Sequence, residues 1–345
     1  MRDLVAINGP WQVITFLNFY MTEYDEKSLP PFTIVFYEIN DELKRVCEKI
    51  LSNYTYADQL LNIEEINSIV KTPFKNLWIG KMFSGESKKI IDSFPELPII
   101  LFEEGLHSYV DKERFTLLNV TRKADSVKNK IKTILKFFIK KQKLIKAFPN
   151  LILSIHKSRC IKKYYLLPLL NNETSKDIVS SKYVSIILKE TQRVFGPNSI
   201  TFVDRPIVLV IGQYFSSLNL IDPDSELKVY FKILNHYIDI GVDVYWKGHP
   251  RSKMFDEKIK ECFQEKVKVL ENNAIPLEFF LISNPNIELS GISSSVLLYN
   301  ALLFDGNANQ SLYLIKNQLN KKNVWYNDFL KMFSFIENNV QKTNI

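Results

Sequence analysis

Apolar and polar residues follow a repeating order along this chain: a short unbroken apolar run, a turn, then an amphipathic stretch at helical spacing. Residues 4–7 make the first run, Asn8-Gly9-Pro10 the turn, and a helix is predicted from about 11 to 20. Thr-Ile-Val-Phe-Tyr at 33–37 predicts a second strand. Residues 41–51 predict a helix, with Leu43, Val46, Cys47 and Ile50 on one face. A third strand is expected at 76–79, a helix at 87–94 and a fourth strand at 97–102. Continuous apolar strands alternating with helices predict a parallel sheet covered on both faces.

The order is broken at 122–147, where Arg122, Lys128, Lys136, Lys140, Lys143 and further lysines face the single acid Asp125. Val127, Ile131, Ile134, Leu135 and Phe138 recur among them at helical spacing, which predicts a basic amphipathic helix. Such a face suits an anionic membrane surface or a phosphorylated glycolipid, or is an ordinary wet domain edge. Apolar runs at 151–155 and 164–167 predict the last strands of a first domain, with His156 between them structural rather than reactive. A helix at 182–194 precedes Gly196-Pro197-Asn198-Ser199, a breaker cluster that sets the expected domain boundary. The first domain is then 1–195 and the second 205–345.

The alternation restarts at 207–211, a strand of Ile, Val and Leu closing on Gly212-Gln213. A helix is expected at 226–240 with His236 at its surface or edge, then a strand at 242–246 that runs into Lys247-Gly248-His249-Pro250. Helix 253–263, strand 267–270, a short helix at 276–282 and strand 288–290 follow. Gly291-Ile292-Ser293-Ser294-Ser295 leads at once into a helix from Val296. A final strand is expected at 311–315 and a last helix at about 325–340.

With 345 residues, the chain has room for two ordinary domains. Hydrophobic residues at 46% and charged residues at 24% fit a globular protein, and no run of about 20 apolar residues predicts a membrane span. The first residues read as a strand rather than a signal peptide. Cys47, Cys160 and Cys262 lie far apart without metal-ligand spacing, which fits reduced thiols in the cytoplasm. A net charge of +7 suits an anionic partner. Nucleic acid is disfavoured, because no stacking platform or binding module accompanies the lysines. Neither a dinucleotide fingerprint nor a P-loop is present.

Three short stretches carry candidate chemistry. Pro250 has no N–H for a strand ladder and biases His249 to extended geometry, so His249 ends a strand. Ligands of open α/β sheets bind at such carboxyl ends. Glu103-Glu104-Gly105 ends the fourth strand, and two adjacent carboxylates can differ enough in proton affinity for one to act as a base. Ser293-Ser294-Ser295 opens a helix, where unpaired N–H groups and serine hydroxyls suit a phosphate. Taken singly, these read as a turn, a solvated acidic corner and a helix cap.

In this order, Glu103-Glu104-Gly105, His249-Pro250 and the serine run resemble the motifs of the bacterial GT-B sialyltransferases. The likeness extends to the lipooligosaccharide enzymes of family 52 and the capsular polysialyltransferases of family 38. Asn8-Gly9-Pro10-Trp11-Gln12 is similar to the family's first-strand turn, and Gly212-Gln213 to its donor loop. The resemblance implies two Rossmann-like domains with parallel sheets facing across a cleft, and inverting transfer from CMP-Neu5Ac without a metal or other cofactor. Glu104 would be the base, with Glu103 as fallback, and His249 would assist the departing phosphate. Ser293, Ser294 and Ser295 would hold that phosphate, with Gly212, Gln213, Lys247 and Pro250 around the nucleotide. Asn8, Gly9 and His107 fall on the acceptor side. The implied acceptor is a cell-surface glycan, galactose-terminated lipooligosaccharide or capsule. The implied place is the inner face of the cytoplasmic membrane, with segment 122–147 as contact. Other CMP-activated acids (Kdo, legionaminic or pseudaminic acid) and a non-catalytic nucleotide-sugar-binding protein stay open, as do polymerisation and a homodimer.

Overall fold

The computed structural model describes residues 2–24, 28–80, 85–103, 105, 159–167, 177–195, 206–249, 253–270, 276–284, 286–323 and 326–343. The basic segment 122–147, the expected strand 151–155, and Glu104, His107, His156, Pro250 and Arg251 lie outside the described residues. The chain divides into two units, Met1–Tyr183 and Val184–Ile345.

Among the described residues the first unit is built on seven parallel strands: β1 (Arg2–Ile7), β2 (Phe32–Phe36), β3 (Ala57–Asn62), β4 (Phe74–Ile79), β5 (Ile99–Phe102), β6 (Cys160–Tyr165) and β7 (Asp177–Val179). Their order is β3-β2-β1-β4-β5-β6-β7. Alternation along β1 sends Leu4 and Ala6 to one face, where they join Leu77, Ile79, Ile90, Ile91 and Ile99 in a closed apolar cluster. The helix Pro10–Glu23 packs Phe16 and Tyr20 against Phe32 and Trp78. With apolar cover on both faces, the inner strands need no polar side, which is why they read as unbroken runs. Asp3 on β1 is a buried charge among them, 1% exposed. Its carboxylate accepts from Tyr24 Oη (2.8 Å), Trp78 Nε1 (2.9 Å), and the backbone and side-chain nitrogens of Asn76 (3.1 and 3.2 Å). Four donors make its burial tolerable.

Among the described residues the second unit has six parallel strands: β8 (Ile207–Ile211), β9 (Asp243–Lys247), β10 (Val267–Val269), β11 (Glu288–Gly291), β12 (Ala308–Gln310) and β13 (Gln341–Lys342). Their order is β10-β9-β8-β11-β12-β13. Helices Pro223–Asp239, Lys253–Phe263, Glu278–Ser283, Ser295–Leu303 and Tyr326–Asn339 connect or follow them. The helix Val184–Phe195, counted with the first domain from sequence, groups with this unit. There it packs Phe195 on Phe279 at 5.8 Å between ring centroids.

Several expectations need correcting. The strand expected at 311–315 is a 3-10 turn, Leu312–Leu314, and the strand lies just before it in β12. Gln310 Oε1 accepts the Leu312 N–H at 3.0 Å, which turns the backbone out of the ladder. The strand expected at 164–167 runs instead from Cys160 to Tyr165, its start hidden by Lys162 and Lys163. Edge strands β3, β7 and β13 went unread, because edges carry polar or exposed residues and no apolar run. All three cysteines are thiols outside any disulfide, with Cys47 and Cys160 buried. Among the described residues no helix is long and apolar enough to cross a membrane.

Candidate functional site

Each sheet has one place where successive connections change direction. In the second unit β8, β9 and β10 run outward one way, then β11 returns to the other side of β8. Ligands of open α/β sheets bind beyond the carboxyl ends of the strands at that switch. The residues there are Gly212 and Gln213 after β8, Gly248 and His249 after β9, and Ile292, Ser293 and Ser294 after β11. Three of the stretches singled out in the sequence therefore stand on three neighbouring strands. At ordinary strand spacing β9 and β11 are about 10 Å apart.

Close packing forces the two glycines. Gly212 N–H donates to Lys247 O at 2.9 Å, stitching the ends of β8 and β9 together. A Cβ on Gly212 would lie 2.6 Å from the Trp246 ring, and a Cβ on Gly248 would fall on the Asp256 carboxylate. Trp246 is fully buried, and its Nε1 donates to Asp256 Oδ1 at 2.7 Å. Burial lifts the Asp256 carboxyl above its usual range, against the Trp246 hydrogen bond and the Lys247 charge.

The loop after β8 is fastened by the helix Pro223–Asp239. Tyr230 Oη accepts the Gln213 N–H at 2.7 Å. The Glu226 carboxylate accepts from the N–H groups of Phe215 (3.3 Å) and Ser216 (2.7 Å). Both side chains are fully buried, and burial raises the Glu226 carboxyl despite those bonds. His249 is half-buried, and its ring lies 4.1 Å from the Tyr214 ring, centroid to centroid, at 42°.

Ser294 is the N-cap of the helix Ser295–Leu303, its Oγ accepting the Val296 N–H at 3.2 Å. That bond uses a lone pair and leaves the hydroxyl proton to donate. Ser293 and Ser294 are 3% and 8% exposed, and Ser295 begins the helix half-buried. Lys247 does not flank His249 at the surface. It is buried, which lowers its pKa, and the nearby charges are Glu278 and Asp256. Glu278 is itself buried, and its carboxyl is raised to about 7, chiefly by burial, with Lys247 opposing.

In the first unit the switch lies between β1 and β4. Asn8 and Gly9 follow β1, and Glu103 follows β5 two strands away. The helix Pro10–Glu23 ties both ends: Gln12 Oε1 accepts the Asn8 N–H at 2.9 Å, and Thr15 Oγ1 donates to Glu103 O at 3.2 Å. Glu103 is fully buried, and its Oε2 accepts the Leu166 N–H at 2.7 Å. Gly105 has φ +125°, a conformation an L side chain rarely adopts, which explains the glycine after the acid pair. Among the described residues no three His, Cys, Asp or Glu side chains form a metal-ligating group.

Sequence reading missed Thr15, Glu226, Tyr230, Tyr214, Asp256 and Glu278, and gave Gln12 only as part of the first-strand turn. Glu226 and Tyr230 left one signal: they sit four apart on the stripe continued by Ile233 and Tyr237, and an acid on a buried stripe is unusual.

Two parallel-sheet α/β units of this kind define a GT-B-like fold, shared by glycosyltransferases and nucleotide-sugar epimerases. The chain is similar to the UDP-GlcNAc 2-epimerase of Neisseria meningitidis bound to UDP-GlcNAc. Its TM-score is 0.55 at 10% identity, covering 100% of this chain and 95% of that one. It is likewise similar to the Photobacterium sp. JT-ISH-224 2,6-sialyltransferase, solved with CMP and lactose. There the TM-score is 0.52 at 12% identity, covering 99% of this chain and 78% of that one. No curated protein matches the chain significantly in sequence. Residues 3–313 match the family described as alpha-2,8-polysialyltransferase (POLYST). The chain belongs to that family and is a glycosyltransferase of the sialyltransferase class.

Proposed function

We propose that this protein transfers sialic acid from CMP-Neu5Ac to a hydroxyl of a cell-surface glycan, with inversion and without a metal. The observation that carries the reading is the second unit's switch point, where a histidine follows β9 and a serine-capped helix follows β11, the two strands that flank β8. Family membership supplies the sugar. Ser294 donates to the CMP phosphate, the positive end of the helix dipole attracts its charge, and Gly212 and Gln213 line the nucleotide. His249 donates a proton or hydrogen bond to that phosphate as it leaves. Glu104 takes the proton of the acceptor hydroxyl. Glu103 suits that role less, since its carboxylate already holds the Leu166 N–H. Asn8, Gly9 and His107 belong to the acceptor side.

The family's description points to the 8-hydroxyl of a terminal sialic acid as acceptor, whereas the lactose of the Photobacterium complex points to galactose. Segment 122–147 brings the enzyme to anionic lipid on the cytoplasmic face of the membrane. Lys136→Glu, Lys140→Glu and Lys143→Glu together should weaken binding to anionic vesicles; unchanged binding refutes that contact. The function is tested by incubating the protein with CMP-Neu5Ac, CMP-Kdo, or CMP-legionaminic or CMP-pseudaminic acid. Sialic acid-terminated and galactose-terminated acceptors are each supplied, with and without chelator. Transfer from CMP-Neu5Ac that ignores chelator is expected. Transfer only from another CMP sugar changes the donor, and CMP binding without any transfer removes the enzyme reading.

A further inference from the structure

We infer that Tyr214 is a positioning residue for His249, set against it by Glu226 and Tyr230. The inference rests on the reading that His249 serves the leaving phosphate. A histidine at the end of a strand and half-exposed has rotamers to choose from. Here its ring meets the Tyr214 ring at 4.1 Å and 42°, a close, tilted contact that narrows that choice.

The backbone on both sides of Tyr214 is tied to buried side chains. Gln213 N–H goes to Tyr230 Oη, and the N–H groups of Phe215 and Ser216 go to the Glu226 carboxylate. Gly212 N–H goes to Lys247 O, two residues before His249. Burying a carboxylate and a phenol is costly unless their bonds are made. On this helix both are spent on one four-residue loop, and the consequence is a fixed position for the Tyr214 ring. That ring in turn fixes the imidazole, so that the proton donor waits in one orientation.

A small misplacement of a reacting group can cost about 100-fold in rate. The contact is ring to ring and does not need the hydroxyl, so Tyr214→Phe should keep kcat within about threefold of wild type. Tyr214→Leu should lower kcat by about 10- to 100-fold with little change in donor KM, as expected for lost orientation. The chain has four histidines, so the imidazole C–H signals are few enough to resolve by NMR, with His249 assigned through His249→Gln. The His249 signal should carry a ring-current shift in wild type and Tyr214→Phe, and lose it in Tyr214→Leu. If Tyr214→Leu does not fold by thermal melt, Tyr214→Met is read the same way.

A folded leucine or methionine variant with an unmoved His249 signal overturns the inference. So does wild-type kcat in that variant where His249→Ala is inactive. Wild-type kcat in His249→Ala, with the signal moved by Tyr214→Leu, leaves the contact standing and removes the phosphate role instead.

Discussion

Gly248 and Asp256 share space that a single added carbon would take away. A Cβ at 248 would collide with Asp256 Oδ1, the oxygen that accepts the Trp246 indole N–H at 2.7 Å. The carboxylate cannot swing aside without leaving that buried donor unpaired. Gly248→Ala should therefore cost about 1–3 kcal/mol, the penalty of an unsatisfied buried group. Gly212→Ala meets the Trp246 ring at 2.6 Å and should cost a similar amount, about 1–3 kcal/mol, by overpacking. Chemical denaturation of each variant measures both. Wild-type stability in either would mean that the strand ends are looser than this packing.

Glu278 gives the protein a pH dependence with a defined sign. Its folded carboxyl titrates at about 7, above the ordinary 4.5. Between those values the native state holds a proton that the unfolded state has lost, so stability falls as pH rises through 7. The fall is at most about 3 kcal/mol. Melting temperature should drop from pH 5 to pH 8, and Glu278→Gln should flatten the drop. An equal slope in both proteins would assign the dependence elsewhere.

Ser294→Ala removes both a helix cap and a phosphate donor. Loss of the Val296 bond should lower stability by about 0.5–2 kcal/mol. Loss of the hydroxyl proton should raise the dissociation constant for CMP, measured by calorimetry, with a smaller effect on turnover at saturating donor. Unchanged CMP affinity would leave Ser294 a cap alone.

The acid pair separates by substitution. Glu103→Gln keeps an oxygen for the Leu166 N–H and should fold and turn over within a few-fold of wild type. Glu104→Gln removes the base and should lower turnover by about 10²–10⁴-fold. The reverse pattern would move the base to Glu103.

Much of this arrangement was legible in the chain because the inner strands are apolar on both faces. The strand Ile207–Ile211 and the helices Asp41–Leu51 and Lys253–Phe263 lie where periodicity puts them. The strand-end positions of His249 and Ser294 followed from a proline and a serine run. The fastening of the loop did not, because Glu226, Tyr230 and Tyr214 meet their partners through tertiary contacts that no local pattern encodes. The burial of Lys247 was hidden for a related reason: no local pattern says that a lysine at a strand end has Glu278, thirty-one residues on, near it.

The most direct test is turnover of CMP-Neu5Ac by His249→Ala at saturating donor, with folding verified by thermal melt. The account predicts a loss of about 10²–10⁴-fold, the usual contribution of a general acid. A folded His249→Ala that transfers sialic acid at the wild-type rate would contradict it.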